Sequence, residues 1–351
     1  MSSATNDNKS ASAPLVEQPS ELFTKATPNV FMVVFPMRWL WRWFTRRTGL
    51  FFRKWDTEAR AGTDAFAKLC ADDIVYGEGP RFRLRENALY FSDMYANRVF
   101  KYDLATKRTE VVCEVDDRPS GLGWLPDGRL LISGGAEKRQ VLVFDQESKK
   151  LELYADVTSV TRVQGNDMVV DASGQVYVGN FGFDHNNPLA CASTTLVRID
   201  TERNVTVEST KMLFPNGCVI TPDGKTLIVA ETFSGVLTAF DITKDGSLSN
   251  RRVGIYKTAG GMVRVREGGQ VVDMVGFGQN GVKQSVFACQ LGTDAEGKHH
   301  LFFLEAATAN EVAVKKLKLE DQKKNGVLKS IEVKVGPARS ATNADYCGGY
   351  C

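Results

Sequence analysis

The chain has 351 residues, of which 43% are hydrophobic and 25% charged, an ordinary composition for a globular protein with one large core or two small ones. The formal net charge is only +2, which gives no reason to expect a nucleic-acid partner. Seven cysteines without a C-x-x-C pair, and three histidines without an H-E-x-x-H or G-x-S-x-G motif, argue against disulfide-rich, zinc-dependent and serine-hydrolase classes and favour a reducing, cytoplasmic compartment.

Residues 1–70 form an N-terminal extension in two parts. Residues 1–30 are rich in Ser, Ala, Asn and Pro, a composition typical of disorder. Residues 31–55 carry six Lys or Arg, no Asp or Glu, and four of the five Trp, and they hold no uncharged run long enough to span a bilayer. This pattern predicts an amphipathic helix lying in a membrane interface. The alternatives are a segment that packs its aromatic side chains on the next domain, or a leader with no folded role.

Residues 71–338 alternate short β-rich runs with turns and show no long helical period. Several runs follow an Asp-Gly or Ser-Gly turn, as in "LPDGRL", "DASGQV" and "TPDGKT". The residues that open successive units, Glu78, Ser120, Asn166 and Asn216, are 42, 46 and 50 residues apart, which leaves room for four strands in each unit. This repetition predicts an all-β architecture, radial or solenoid, and four strands in each unit correspond to one propeller blade. Residues 339–351 are expected to form a loose tail.

The fifth unit breaks the repeat. The next comparable opening residue is near Ser285, 69 residues after Asn216, or about one and a half units on. Two runs typical of outer strands, "GGMVRVREGG" and "QVVDMVGF", are present in this interval. We therefore expect about 20 residues, equivalent to the two inner strands, to be missing between Lys257 and Met262.

The chain from about residue 74 to residue 310 resembles the senescence marker protein-30, gluconolactonase and luciferin-regenerating-enzyme-like family. The resemblance lies in "GEGPRF", "RPSGLGWLPDGRLLIS", "NDMVVDASGQVYVGNFGFD", "FPNGCVITPDGKTLIVAETFSG" and "VRVREGGQVVD". It implies a six-bladed β-propeller, here with a shortened fifth blade, and one divalent cation in the central channel. Calcium is the expected cation, with Zn²⁺, Mn²⁺ or Mg²⁺ as alternatives. The activity implied is hydrolysis of a lactone or related ester, in which the cation polarises the carbonyl.

The resemblance also implies roles for individual residues. Glu78 and Asn216 match metal ligands, and Asn166 matches a position at the metal or the substrate, with Asp167 beside it as a further catalytic candidate. Asp184 matches a residue that helps to hold the substrate. Oxygen donors of this kind suit a hard cation such as calcium. In some members of the family an Arg that contacts the substrate stands at the position of Gln164, so the preference for sugar substrates is open here.

A metal-binding Asp that also serves as general base or nucleophile opens blade five in the family, and no Asp stands at that place here. Asp273 is on an outer strand and Asp294 is in a turn of the sixth unit, so neither is an obvious substitute. We therefore expect weaker cation binding and impaired hydrolysis. The main alternative is a non-catalytic propeller that serves as a binding module, attached to a membrane through residues 31–55. A strictosidine-synthase-like enzyme would share the propeller but matches less closely.

Overall fold

A computed structural model describes residues 31–34, 67–184, 187, 190–255, 261–265, 271–276 and 284–337. These residues form an all-β propeller, in which five four-stranded antiparallel sheets are arranged around a channel and a three-stranded sheet accompanies them. The Asp-Gly and Ser-Gly turns predicted from the sequence reverse the chain within three of the sheets, and the two strands that each turn connects pair with each other. No helix in the part of the chain described here is long and apolar enough to cross a membrane.

Blades one to four each consist of four consecutive strands, paired in chain order from the channel outward. Blade one contains β3 (Gly77–Arg83), β4 (Ala88–Asp93), β5 (Arg98–Asp103) and β6 (Arg108–Glu114), and blade two contains β7 (Pro119–Trp124), β8 (Leu130–Gly134), β9 (Gln140–Asp145) and β10 (Lys150–Asp156). Blade three contains β11 (Gly165–Val170), β12 (Val176–Asn180), β13 (Thr194–Ile199) and β14 (Val205–Met212), and blade four contains β15 (Pro215–Ile220), β16 (Thr226–Glu231), β17 (Val236–Ile242) and β18 (Leu248–Ile255).

The fifth four-stranded sheet joins the two ends of the propeller, and it is called blade six here after its place in the order predicted from the sequence. Its strands, from the channel outward, are β21 (Ser285–Thr293), β22 (His299–Ala306), β23 (Gly326–Val333) and β2 (Lys68–Ile74). The strand that precedes blade one thus becomes the outer strand of blade six. Two short helices, α1 (Glu311–Lys315) and α2 (Leu319–Gln322), lie in the connection between β22 and β23.

The three-stranded sheet consists of β1 (Phe31–Val34), β19 (Gly261–Val265) and β20 (Val271–Gly276). Both outer-type runs predicted from the sequence are therefore strands. Phe31–Val34 pairs antiparallel with β19, so over these four residues a strand replaces the expected helix. Phe-Met-Val-Val is apolar and partly β-branched, which suits a strand that completes a hydrogen-bond ladder. The rest of the segment 31–55 lies outside the described residues.

The hydrophobic core lies between neighbouring blades rather than in one central body. Its clusters join blades one and two, two and three, three and four, and six and one, and a further cluster joins the three-stranded sheet to blade six. The innermost strands are buried on both faces, as in β7 and β11, where every residue is buried. The residues that open the repeats, Glu78, Ser120, Asn166 and Asn216, are each the second residue of an innermost strand. They therefore lie at the same end of the channel.

Candidate active site

The innermost strands of blades one, three and four share an irregularity next to their opening residues. The pairing register shifts between Glu78 and Arg81 and again between Gly165 and Met168. A third shift falls between Pro215 and Cys218. A local break in the ladder redirects side chains and is common beside functional sites. In blades three and four the shift leaves Asn166 and Asn216 without a ladder partner, whereas in blade one Glu78 stays opposite Ser92 and the shift follows it.

Gly79 shows how tightly this geometry is fixed in blade one. Its φ angle is +54°, in the left-handed region. A Cβ atom at this position would lie 2.3 Å from the backbone oxygen of Ser120 in blade two. Only glycine permits this close approach, which holds Glu78 at the seam between the two blades.

One pocket brings together three of the residues that the sequence singles out. Glu78 from blade one, Asp167 from blade three and Asn216 from blade four all line it. The remaining wall is formed by small and apolar residues of blades four and six: Gly217, Ala230, Thr232, Phe287 and Ala288. Two carboxylates and an amide thus face one small space on the channel axis.

Glu78 is the carboxylate with the fewest protein partners in this pocket. The Gly79 N–H donates to its Oε2 at a long 3.4 Å, and the Tyr76 side chain also contributes a hydrogen bond. Burial raises the pKa of Glu78 to about 8, and the nearby charge of Asp167 adds to this rise. A partly buried carboxylate beside a second carboxylate is a typical environment for a cation site.

Asp167 has a strong internal partner. Arg81 is fully buried, and its Nη2 atom lies 2.5 Å from Asp167 Oδ1 and 2.6 Å from the backbone oxygen of Met168. This ion pair links blade one to blade three through the channel. Arg81, in "GEGPRF", is a site residue that was not predicted from the sequence. Arginine is unusual at a buried position, so its presence in an innermost strand indicates a specific partner.

Asn216 and Asn166 differ in how their amides are engaged. Asn216 Nδ2 donates to Thr232 Oγ1 at 3.1 Å, while the residue lines the pocket. Asn166 is buried and does not line it. Its Nδ2 donates to the Pro215 backbone oxygen at 3.1 Å, and its Oδ1 accepts from the Ser120 hydroxyl at 3.4 Å. Asn166 therefore ties blades two, three and four together beneath the site.

The structure does not bring Asp184 to this pocket. Asp184 is exposed in the loop that follows β12, and its role in substrate binding stays a prediction. Gln164, in contrast, is buried at the same end of the channel, and its Oε1 accepts from Arg118 Nη1 at 3.3 Å. Arg118 also forms an ion pair of 3.2 Å with Glu311 in α1. The guanidinium of Arg118, the residue before β7, thus lies beside the position at which some members of the family carry an arginine.

The two other carboxylates considered from the sequence are engaged elsewhere. Asp273 forms an ion pair with Arg264 across β19 and β20. Asp294 lies in the β21–β22 turn, where the His300 ring nitrogen is 2.8 Å from its Oδ2. Neither lines the pocket.

Comparison with known proteins agrees with this arrangement. The family model of the SMP-30/Gluconolactonase/LRE-like region matches residues 76–277, which is more than half of the chain. The chain belongs to this family. Pentonolactonase XacC of Haloferax volcanii is 31% identical over 159 residues, covering 44% of this chain and 50% of that protein. The chain thus matches about half the length of this curated relative.

Solved structures of the SMP-30/gluconolactonase/LRE-like family show the same fold. Regucalcin of Agrobacterium tumefaciens, described as a calcium-binding protein, aligns with a TM-score of 0.59 at 16% identity, covering 77% of this chain and 95% of that one. The gluconolactonase XC5397 of Xanthomonas campestris aligns with a TM-score of 0.58 at 19% identity, covering 78% and 91%. At these identities the likeness concerns the fold alone.

Proposed function

We propose that this chain is a divalent-cation-dependent hydrolase that acts on a lactone or a related ester. The observation that carries the proposal is the convergence of Glu78, Asp167 and Asn216, from three different blades, on one pocket. Lactonases among its relatives support the substrate class. The apolar wall at Phe287 offers a surface for the carbon skeleton of such a substrate.

The donors in the pocket fit a hard cation. Glu78 is a partly buried carboxylate whose pKa is raised to about 8, because desolvation and the charge of Asp167 outweigh the opposing effect of Arg81. Asn216 uses its amide nitrogen on Thr232, which leaves the carbonyl oxygen as a donor. Glu78 and Asn216 would hold the cation, and we take calcium as the preferred ion. Asn166 was predicted as a further donor, but it does not line the pocket and its amide is engaged by Pro215 and Ser120. When bound, the cation supplies polarisation of the carbonyl oxygen.

The chain's own residues then position water and substrate. Asp167, held by Arg81 at 2.5 Å, is the carboxylate that orients water and accepts its proton in the pocket. The Arg81 guanidinium fixes that carboxylate in place and occupies its Oδ1 atom. This pairing is one reason to expect slow turnover.

The absent Asp of blade five is the other reason. No residue of the described part of the three-stranded sheet lines the pocket, and Asp273 of β20 is paired with Arg264. We propose that the fold is a six-bladed propeller with a shortened fifth blade, whose site has lost one charged ligand. Cation affinity should be reduced accordingly, since it follows the number of charged ligands.

A binding module without catalysis is the second candidate, favoured by the direct pairing of Asp167 with Arg81.

For the location of the protein in the cell, we propose the cytoplasm, with peripheral membrane contact through the basic and aromatic part of residues 31–55. The excess of six basic residues there suits attraction to an anionic surface.

The test is hydrolysis of gluconolactone, and of a lactone with an apolar side chain, by the full chain in a pH-stat. Each reaction is run with calcium and with excess chelator. Calcium-dependent turnover that is lost in Glu78→Gln supports the hydrolase. A folded protein that binds calcium but turns over neither lactone would favour the binding module. Turnover unaffected by the chelator would refute the cation dependence.

A further inference from the structure

The inner edge of β19 in the three-stranded sheet is a place where the chain needs a partner. β19 and β20 pair with each other, so β19 would present one row of backbone N–H and C=O groups without a neighbouring strand if β1 were absent. Unpaired edges of this kind accept extended segments, since the hydrogen bonds involve backbone only. β1 fills this edge in the structure.

Side-chain packing holds the edge in a fixed position. Met262 of β19 and Val275 of β20 are buried in one hydrophobic cluster with Cys289, Leu291 and Phe303 of blade six. Blade six in turn contains the outer strand β2 and packs against blade one. Packing on blade six therefore helps to hold the edge of β19 in position.

β1 occupies the position of an inner strand. It pairs with β19 over four residues, from Phe31 opposite Val265 to Val34 opposite Met262. It also lies beside β21, the innermost strand of blade six. In the complete blades, neighbouring innermost strands lie beside one another in the same way. A segment from the far N-terminus thus stands where the repeat has lost its own strand.

We propose that the inner edge of β19 is a strand-acceptor site for an extended apolar segment, and that Phe31–Val34 of the same chain is its resident occupant. Phe31–Val34 is then a structural part of the propeller. The proposal concerns backbone pairing and is independent of the hydrolase activity.

The length of the chain permits an occupant from the same molecule. Residues 35–67 connect β1 to β2, and 33 residues can span on the order of 100 Å when extended. β2 is the outer strand of blade six, the blade on which β19 and β20 pack. The connection therefore only needs to pass from the inner side of one sheet to the outer side of its neighbour.

Hydrogen exchange of the full chain tests the pairing directly. We expect the amides of residues 31–34 to exchange at least about 100-fold more slowly than in an unstructured peptide. Val33→Pro removes a backbone donor and should abolish that protection and increase exchange in β19, whereas the matched control Val33→Thr should retain both. Exchange of residues 31–34 at the unstructured rate in the unmodified chain would overturn the proposal.

A disulfide between strands tests whether the occupant comes from the same molecule. Val33 and Val263 are directly opposite each other, a position where Cβ atoms are about 4.5–5.5 Å apart in antiparallel pairs. The variant Val33→Cys with Val263→Cys should oxidise to a link within one chain. Val33→Cys with Val111→Cys, the latter exposed on β6 in blade one, is the control and should not link. Mixing isotopically light and heavy chains identifies the linked peptides, and links between chains would overturn the same-chain assignment.

Discussion

Blade four and the three-stranded sheet are consecutive in the chain, but they assemble their strands differently. Blade four is built from four consecutive strands, and Leu227, Val229 and Phe240 pack in its cluster with blade three. It also supplies Asn216 to the pocket. The three-stranded sheet has only two consecutive strands and takes its third from residues 31–34. None of its described residues lines the pocket.

Completing a sheet and completing a metal site place different requirements on the chain. A backbone ladder can be completed by almost any extended apolar segment, because its hydrogen bonds do not depend on the side chain. A metal ligand cannot be replaced in this way, since it needs one carboxylate at one position. The borrowed strand, Phe31–Val34, can therefore complete the pairing of β19 without supplying a carboxylate.

The largest loss of activity should come from removing the charge of Glu78, the pocket carboxylate of blade one. Glu78→Gln keeps the shape of the side chain and removes its charge, so lactone hydrolysis should fall at least about 100-fold. Asp273→Asn in the three-stranded sheet is the matched control and should leave kcat/KM within about twofold, because Asp273 pairs only with Arg264 at a distance from the pocket. Steady-state rates with calcium measure both. A large loss in Asp273→Asn would show that the three-stranded sheet does contribute to catalysis.

The second prediction concerns the close contact between blades one and two. Gly79→Ala places a Cβ 2.3 Å from the Ser120 backbone oxygen at a positive φ, and should lower the free energy of unfolding by about 3 kcal/mol. Gly297→Ala, at φ +82° in an exposed turn with no atom within 4 Å of the new Cβ, should cost about 1 kcal/mol. Urea denaturation compares the two. Equal costs would show that strain at positive φ, rather than the seam between the blades, determines the effect.

The third prediction compares the cores of the two regions. Leu227→Ala in the cluster between blades three and four should lower the free energy of global unfolding by about 2–5 kcal/mol. Met262→Ala in the three-stranded sheet should lower it by only about 1 kcal/mol, because we expect this sheet to open locally before the ring unfolds. Hydrogen exchange in β19 should increase in Met262→Ala. Equal losses in the global transition would mean that the sheet unfolds together with the ring.

Much of the ring could be predicted from the sequence because its signals are local. Turn dipeptides and opening residues recur at regular intervals, and Glu78, Ser120, Asn166 and Asn216 all prove to be second residues of innermost strands. The break after residue 255 also predicted a sheet with fewer consecutive strands, as the structure shows.

The remaining features depend on contacts between residues far apart in the chain. Phe31–Val34 joins β19 across about 230 residues, and four apolar residues carry no local sign of their partner. The ion pair of Arg81 with Asp167, 86 residues away, is equally nonlocal. Asp184 was predicted from the resemblance alone, and it lies exposed in the loop after β12. The conformation of a loop depends on its surroundings in the fold, which the local sequence does not show.

The smallest effect is a dependence of stability on pH that comes from Glu78 alone. Its carboxyl has a pKa of about 8 in the folded chain, against an ordinary value of 4.5. Below pH 4.5 both states carry the proton and the carboxyl does not oppose folding. As pH rises from 4.5 to 8, the unfolded chain releases the proton and the folded chain does not, so stability falls and the loss is complete above pH 8.

Glu78 is partly exposed, so solvent screening limits this loss to about 1 kcal/mol in total. With chelator present, the melting temperature of the unmodified chain should fall relative to that of Glu78→Gln between pH 5 and pH 8. Calcium should remove the difference at pH 8, because the ion stabilises the charged carboxylate that burial disfavours. A constant difference across this range would mean that the Glu78 carboxyl ionises normally in the folded chain. The complete blades would then hold a pocket that is hydrated enough to carry the charge without a cation.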